Sequence, residues 1–107
     1  MKVAITSTGN NLDSLLDSRF GRCSYFVIYD TISHSTEFIP NPNNENIEGA
    51  GSASVQLIAS RGAEKVVSGE FGIKVKSLFD SLKIQLVVLK DPEKKISEII
   101  KLLNHKN

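Results

Sequence analysis

The sequence predicts one α/β domain built in three layers, α/β/α, around a mixed five-stranded sheet. Three observations lead there. Short apolar runs of strand length alternate with segments whose apolar residues recur every three or four positions. Two of the runs, Tyr25 to Tyr29 and Ser35 to Ile39, are close enough to form a hairpin through Asp30 to His34. The later runs are separated by helical segments, which makes their strands parallel and covers the sheet on both faces.

Each element has its own justification. Val3-Ala4-Ile5 is a buried run and reads as the first strand. After the polar loop Thr6 to Asn11, Leu12, Leu15 and Leu16 fall at i, i+3 and i+4, which predicts a short helix capped by an asparagine. The hairpin strands follow. Residues 40–52 are rich in Pro, Asn and Gly and read as the longest loop. Ala50, Ala53, Leu57 and Ile58 then mark a helix that Gly62 stops. Lys65 to Ser68 is a strand, and Gly69 to Gly72 a turn. Val75, Leu78, Phe79 and Leu82 mark the next helix, and Ile84 to Leu89 is the most apolar strand. Asp91-Pro92-Glu93 opens a last helix, whose buried stripe is Ile96, Ile99, Ile100 and Leu103. The predicted order is β-α-β-β-α-β-α-β-α.

Composition narrows the function classes. The chain has 107 residues, enough for one core, with 40% hydrophobic and 23% charged residues. A net charge of +1 gives no electrostatic case for nucleic-acid or anionic-membrane binding. No apolar run approaches the ~20 residues that span a bilayer. The apolar run at the start is too short for a signal peptide, and a single cysteine rules out an internal disulfide framework. A reduced, cytoplasmic setting is the expectation.

Chemistry concentrates at residues 19–26, Arg-Phe-Gly-Arg-Cys-Ser-Tyr-Phe. Arg19 and Arg22 could grip an anionic cluster or an oxyanion through their guanidinium forks, or pair with Asp13, Asp17 or Asp30. Cys23 could ligate iron, copper or molybdenum as a thiolate whose pKa the adjacent arginine lowers. The plain alternative is a small, partly buried residue at a strand start. One thiol cannot hold a typical cluster, which takes about four. Ligands of open α/β sheets sit beyond the carboxyl ends of the parallel strands. Gly49-Ala50-Gly51 and Ser68-Gly69-Glu70-Phe71-Gly72 lie on connections that reach that rim. Their backbone N–H groups, at helix starts near Gly51 and Gly72, suit an anion; turn chemistry alone would also explain these glycines. His34 and His105 follow no metal-site spacing and read as exposed. Asn41, Asn43, Asn44 and Asn46 read as turn formers.

On these motifs the chain resembles the dinitrogenase iron–molybdenum cofactor biosynthesis family, whose members include NifX-like proteins and the C-terminal domain of NifB-like proteins. The resemblance rests on Met1 to Ser7, on Arg19-Phe20-Gly21-Arg22-Cys23-Ser24-Tyr25-Phe26, on the asparagine-rich loop ending in Gly49-Ala50-Gly51, and on Val66-Val67-Ser68-Gly69 with Phe71-Gly72. It covers nearly the whole chain and implies one domain over residues 1–107 with an RNase H-like fold. It also implies a carrier that binds an iron–sulfur or molybdenum-containing cluster and has no catalytic activity of its own. The implied cluster-binding residues are Arg19, Gly21, Arg22, Cys23, Gly49, Gly51, Gly69 and Gly72, with Cys23 as the metal ligand. The implied partners are the cluster itself and a cluster donor or acceptor protein.

The competing reading is a non-catalytic adaptor that binds a partner protein such as an ATPase or a ferredoxin-like protein. A metal-dependent nuclease is disfavoured, because the first strand carries no carboxylate to help hold two Mg²⁺ ions. No P-loop, G-x-G-x-x-G fingerprint or G-x-S-x-G elbow is present, which leaves nucleotide binding and acyl transfer without support.

Overall fold

The computed structural model describes residues 1–43 and 49–104. Five strands and three helices follow one another: β1 (Lys2–Ser7), β2 (Tyr25–Asp30), β3 (Thr36–Pro40), α1 (Ala50–Ser60), β4 (Ala63–Ser68), α2 (Ile73–Ser81), β5 (Gln85–Val88) and α3 (Ile96–Asn104). The strands form one mixed sheet in the order β3-β2-β1-β4-β5. β1 pairs antiparallel with β2 and parallel with β4; β2–β3 is antiparallel and β4–β5 parallel.

Strand alternation sends side chains to two faces, and each face has its own core. Ala4, Phe26, Ile28 and Val66 point to the face packed by Val55 and Ile58 of α1 and Val75 and Phe79 of α2. Val3, Ile5, Val27 and Val67 point to the other face, against Ile96 and Ile99 of α3. The three-layer α/β/α architecture predicted from sequence is therefore present, with three helices rather than four among the described residues.

The hairpin closes by local chemistry. The Asp30 carboxylate accepts the N–H groups of Ile32 at 2.8 Å and Ser33 at 3.4 Å, and His34 takes a left-handed conformation (φ 64°). The same N–H donors, Ile32 foremost, hold the Asp30 pKa below its ordinary 3.8. At the far end of α2, Lys83 N–H donates to Asp80 O and Ile84 N–H to Phe79 O, with Lys83 left-handed at φ 60°. That is a Schellman ending in which lysine occupies the position usually given to glycine.

Two predicted elements differ. Residues 12–16 form no helix. Leu16 pairs with Ser7, Leu15 pairs with Lys95, Leu16 N–H donates to Lys94 O, and Ile96 N–H donates to Ser14 O. The backbone of this segment is satisfied across the chain, so it has no use for helical bonds. The last helix starts at Ile96, not at Asp91-Pro92. Asp91 instead closes its own turn, accepting Glu93 N–H on Oδ1 at 3.2 Å and Lys94 N–H on its carbonyl at 3.1 Å. The α3 start is capped from within, as Glu98 Oε1 accepts Lys95 N–H at 2.9 Å.

Candidate functional site

The segment between β1 and β2 lies across the carboxyl ends of β1 and β4. Thr6 fixes its start twice: Thr6 Oγ1 donates to Asp17 O at 2.7 Å, and Asp17 N–H donates to Thr6 O at 3.0 Å. The Arg19 backbone then pairs with that of Glu70 in a parallel bridge just beyond β4, and Gly69 N–H reaches Asp17 O at 3.4 Å. Phe20 plugs the segment into the core, with ring centroids 5.7 Å from Phe26, 5.6 Å from Phe71 and 5.2 Å from Phe79. Burying Phe20 leaves the flanking Arg19 exposed and Arg22 half-buried.

The glycines mark where chains meet. A Cβ on Gly21 (φ 91°) would lie 3.2 Å from Gly51 Cα, at the first turn of α1. A Cβ on Gly69 would lie 2.5 Å from Ser18 Cα. A Cβ on Gly51 would lie 2.7 Å from Val75 Cγ2, so α1 and α2 also touch through a glycine. Gly49 and Gly72 have no such neighbours; they begin α1 and α2, and neither helix start is capped by a side chain. The three motifs named from sequence thus meet at one end of the sheet: Gly21 on Gly51, Ser18 on Gly69, and Phe20 on Phe71.

Cys23 lies beneath this surface. It is fully buried, and its thiol is pushed up from 9.0 to about 12, first by burial and then by the Asp17 carboxylate; backbone groups of Ser7 and Gly21 work weakly the other way. The expectation that the neighbouring arginine lowers this pKa is corrected. Adjacency along the chain does not place the guanidinium against the sulfur, whereas the fold does place an acid near it. Asn41 clamps the same turn from inside, its Nδ2 donating to Gly21 O at 3.0 Å and Cys23 O at 2.9 Å, with Cys23 Sγ at 3.9 Å.

The arginines do some pairing of their own. Arg19 Nε lies 3.4 Å from Asp17 Oδ1 while Arg19 keeps most of its surface in solvent, and its terminal nitrogen is 3.5 Å from Arg22 O. Asp13 pairs with Lys95 instead, and Asp30 serves the hairpin. His34 is exposed at the opposite end of β2, with Nδ1 2.7 Å from Tyr29 Oη. His105, Asn44 and Asn46 lie outside the described residues. Among the described residues no three His, Cys, Asp or Glu side chains are grouped to hold a metal ion.

Sequence reasoning named Asp17 only as an arginine partner and Asn41 only as a turn former, roles both fill, and missed their part in organising the site. Both are buried polar residues. Asn41, between two prolines after a strand, carried a usable signal, since a loop side chain there is placed to satisfy a neighbouring turn. Ser68 Oγ, at the carboxyl end of β4, is buried with no partner among the described residues, as is Ser54 Oγ in α1. Beyond β4 and β5, a cleft of about 170 Å³ opens between Leu16, Ser18, Glu70 and Lys90. It adjoins the Arg19–Cys23 surface but is lined by neither arginine nor by the cysteine.

The family described as dinitrogenase iron-molybdenum cofactor matches residues 1–106. An uncharacterized protein of Methanocaldococcus jannaschii, MJ0580, is 32% identical over 105 residues, covering 95% of this chain and 84% of that one. The apo form of the orange protein from Desulfovibrio gigas superposes with a TM-score of 0.88 at 26% identity, covering 95% of this chain and 85% of the other. A Thermotoga protein assigned provisionally to the NifB type gives 0.81 at 28% identity, covering 95% and 85%.

Proposed function

Because the chain belongs to the dinitrogenase iron–molybdenum cofactor family, we propose that it is a non-catalytic carrier whose cargo is an iron–sulfur or molybdenum-containing cluster. The observation that carries this reading is the meeting of the Arg19–Cys23 segment with the uncapped start of α1 and the Gly69–Gly72 turn. Such clusters are anionic. Arg19 and Arg22 supply charge-assisted donors, and the α1 start, beside Gly21, supplies backbone N–H groups and the positive end of a helix dipole. Gly49 and Gly72, exposed at the two helix starts, keep this surface free of side chains, while Gly51 and Gly69 let Val75 and the Ser18 backbone pack closely behind it. A cluster docks there preassembled, handed over by a donor protein and passed to an acceptor. Cys23 sits under the cradle as a protonated thiol; its sulfur reaches cargo only if residues 18–23 lift.

The test is loading under anaerobic conditions with tetrathiomolybdate and, separately, with iron plus sulfide, followed by desalting. Metal per chain and the visible spectrum are read for wild type, Cys23→Ser and the double variant Arg19→Ala/Arg22→Ala. Wild type is expected to retain coloured cargo, and the arginine variant to bind about tenfold more weakly or worse. Retained colour in Cys23→Ser assigns the hold to the cradle alone; lost colour assigns a sulfur ligand and an opening segment. A colourless wild type under every condition overturns the carrier reading in favour of a protein-binding adaptor.

A further inference from the structure

The two edges of the sheet differ in how they are protected. β3 carries Glu37, tied to Arg61 at 2.9 Å, and ends in Pro40, both devices that discourage a further strand. β5 is Gln85-Leu86-Val87-Val88, with no charge, proline or bulge. Its Val88 is 47% exposed. Leu89 N–H donates to Ser68 O at 2.9 Å, which sets the alternation along this strand. Gln85, Val87 and Leu89 therefore turn their backbone groups to β4, and Leu86 and Val88 turn theirs outward. Beside this edge run two clefts that share Lys76 of α2: one includes Asp80, Ile84 and Leu86, the other Phe71, Val88 and Lys90.

We propose that β5 pairs antiparallel with β5 of a second copy of this chain, about a two-fold axis through Val87. Only residues with outward backbone groups can exchange hydrogen bonds, so the register with the most overlap sets Leu86 opposite Val88 of the second copy and Val88 opposite its Leu86. All four side chains then lie on the α2 face and cover one another. Charge agrees with this register. Beyond the strand ends, Lys83 is brought toward Asp91 of the second copy, a carboxylate that Lys94 of its own chain approaches at 3.8 Å. The axis also brings the Lys76 end of α2 toward Asp80 of the second α2, twice over. Among the described residues, neither Lys76 nor Asp80 has an ion-pair partner within its own chain. The antiparallel pairing sends the two cradles to opposite ends of the joined sheet, so the two Cys23 thiols do not meet. The inference is independent of the cargo reading.

Sedimentation velocity from about 10 μM to about 1 mM tests it, together with amide exchange. The expected result is a reversible dimer in which the amides of Leu86 and Val88 slow as concentration rises while that of Leu89, already bonded to β4, does not change. Val88→Lys, at an exposed position, raises the dissociation constant about tenfold or more with an unchanged far-ultraviolet spectrum. Lys76→Glu and Asp80→Lys each weaken self-association. Mixed in equal amounts, the two singly substituted chains pair with each other, because each then offers what the other lacks. A monomer throughout the concentration range overturns the proposal. So does a dimer that leaves the Leu86 and Val88 amides unprotected or ignores these substitutions.

Discussion

The two ends of the sheet are built differently. At the end where His34 and Lys83 lie, the chain turns by local bonds: Asp30 to its next residues, Lys83 and Ile84 back to the last turn of α2. At the other end, residues 12–23 are held by partners far along the chain: Thr6 and Ser7, Gly51, Gly69 and Glu70, and Lys94 to Ile96. Local turns tolerate change one at a time. A laced surface fails where any strand of the lacing is forced apart, and the cradle is such a surface.

Adding one methyl at the laced end gives the largest expected effect. Gly69→Ala must displace the Ser18 backbone, since its Cβ would lie 2.5 Å from Ser18 Cα. A loss of about 3 kcal/mol is expected in urea denaturation, the upper range for overpacking. Cargo retention should fall with it. Equal stability of wild type and variant would show that the 18–20 segment moves aside freely.

Of similar size, summed over its pH window, is an alkaline transition. The folded pKa of Cys23 is raised from 9.0 to about 12, so the fold favours the neutral thiol. Its contribution is fully present below pH 9.0 and is lost as pH rises toward about 12. The slope is about 1.4 kcal/mol per pH unit in that window. Cys23→Ala should remove the slope. A native thiol that reacts with a thiol reagent as quickly as the unfolded chain would contradict the burial behind it.

The smallest effect sharpens the other side of the comparison. Lys83→Gly relieves a left-handed lysine at the end of α2 and should stabilise the fold by about 1 kcal/mol, read as a rise in the denaturation midpoint. Destabilisation would mean that the lysine side chain makes a compensating contact.

The same contrast explains what the sequence disclosed. The hairpin was legible because Asp30 and the residues after it carry their own turn chemistry. α1 and α2 were legible because part of their apolar spacing was honoured by burial, Ala50 and Ile58 in α1 and Val75 and Phe79 in α2, although Val55, outside the expected stripe, is buried and Leu82, within it, is exposed. Leu12, Leu15 and Leu16 have the same spacing, but Leu15 and Leu16 pair with Lys95 and Ser7, partners no local window contains. Asp91-Pro92-Glu93 looked like a helix start because a turn closed by aspartate uses the same residues. The gathering of the glycine motifs at one rim followed from connectivity. The electrostatic setting of Cys23 did not, because it depends on how deep the sulfur lies and on the nearness of Asp17.

The hydrogen bonds from Leu16 to Lys94 and from Ile96 to Ser14 also set an order of events in time. A chain emerging from the ribosome can complete β1, the hairpin and α1 while residues 12–17 still lack half their partners. The lacing of residues 12–16 therefore closes only once residue 96 is available. No partly made chain short of that point presents the finished rim.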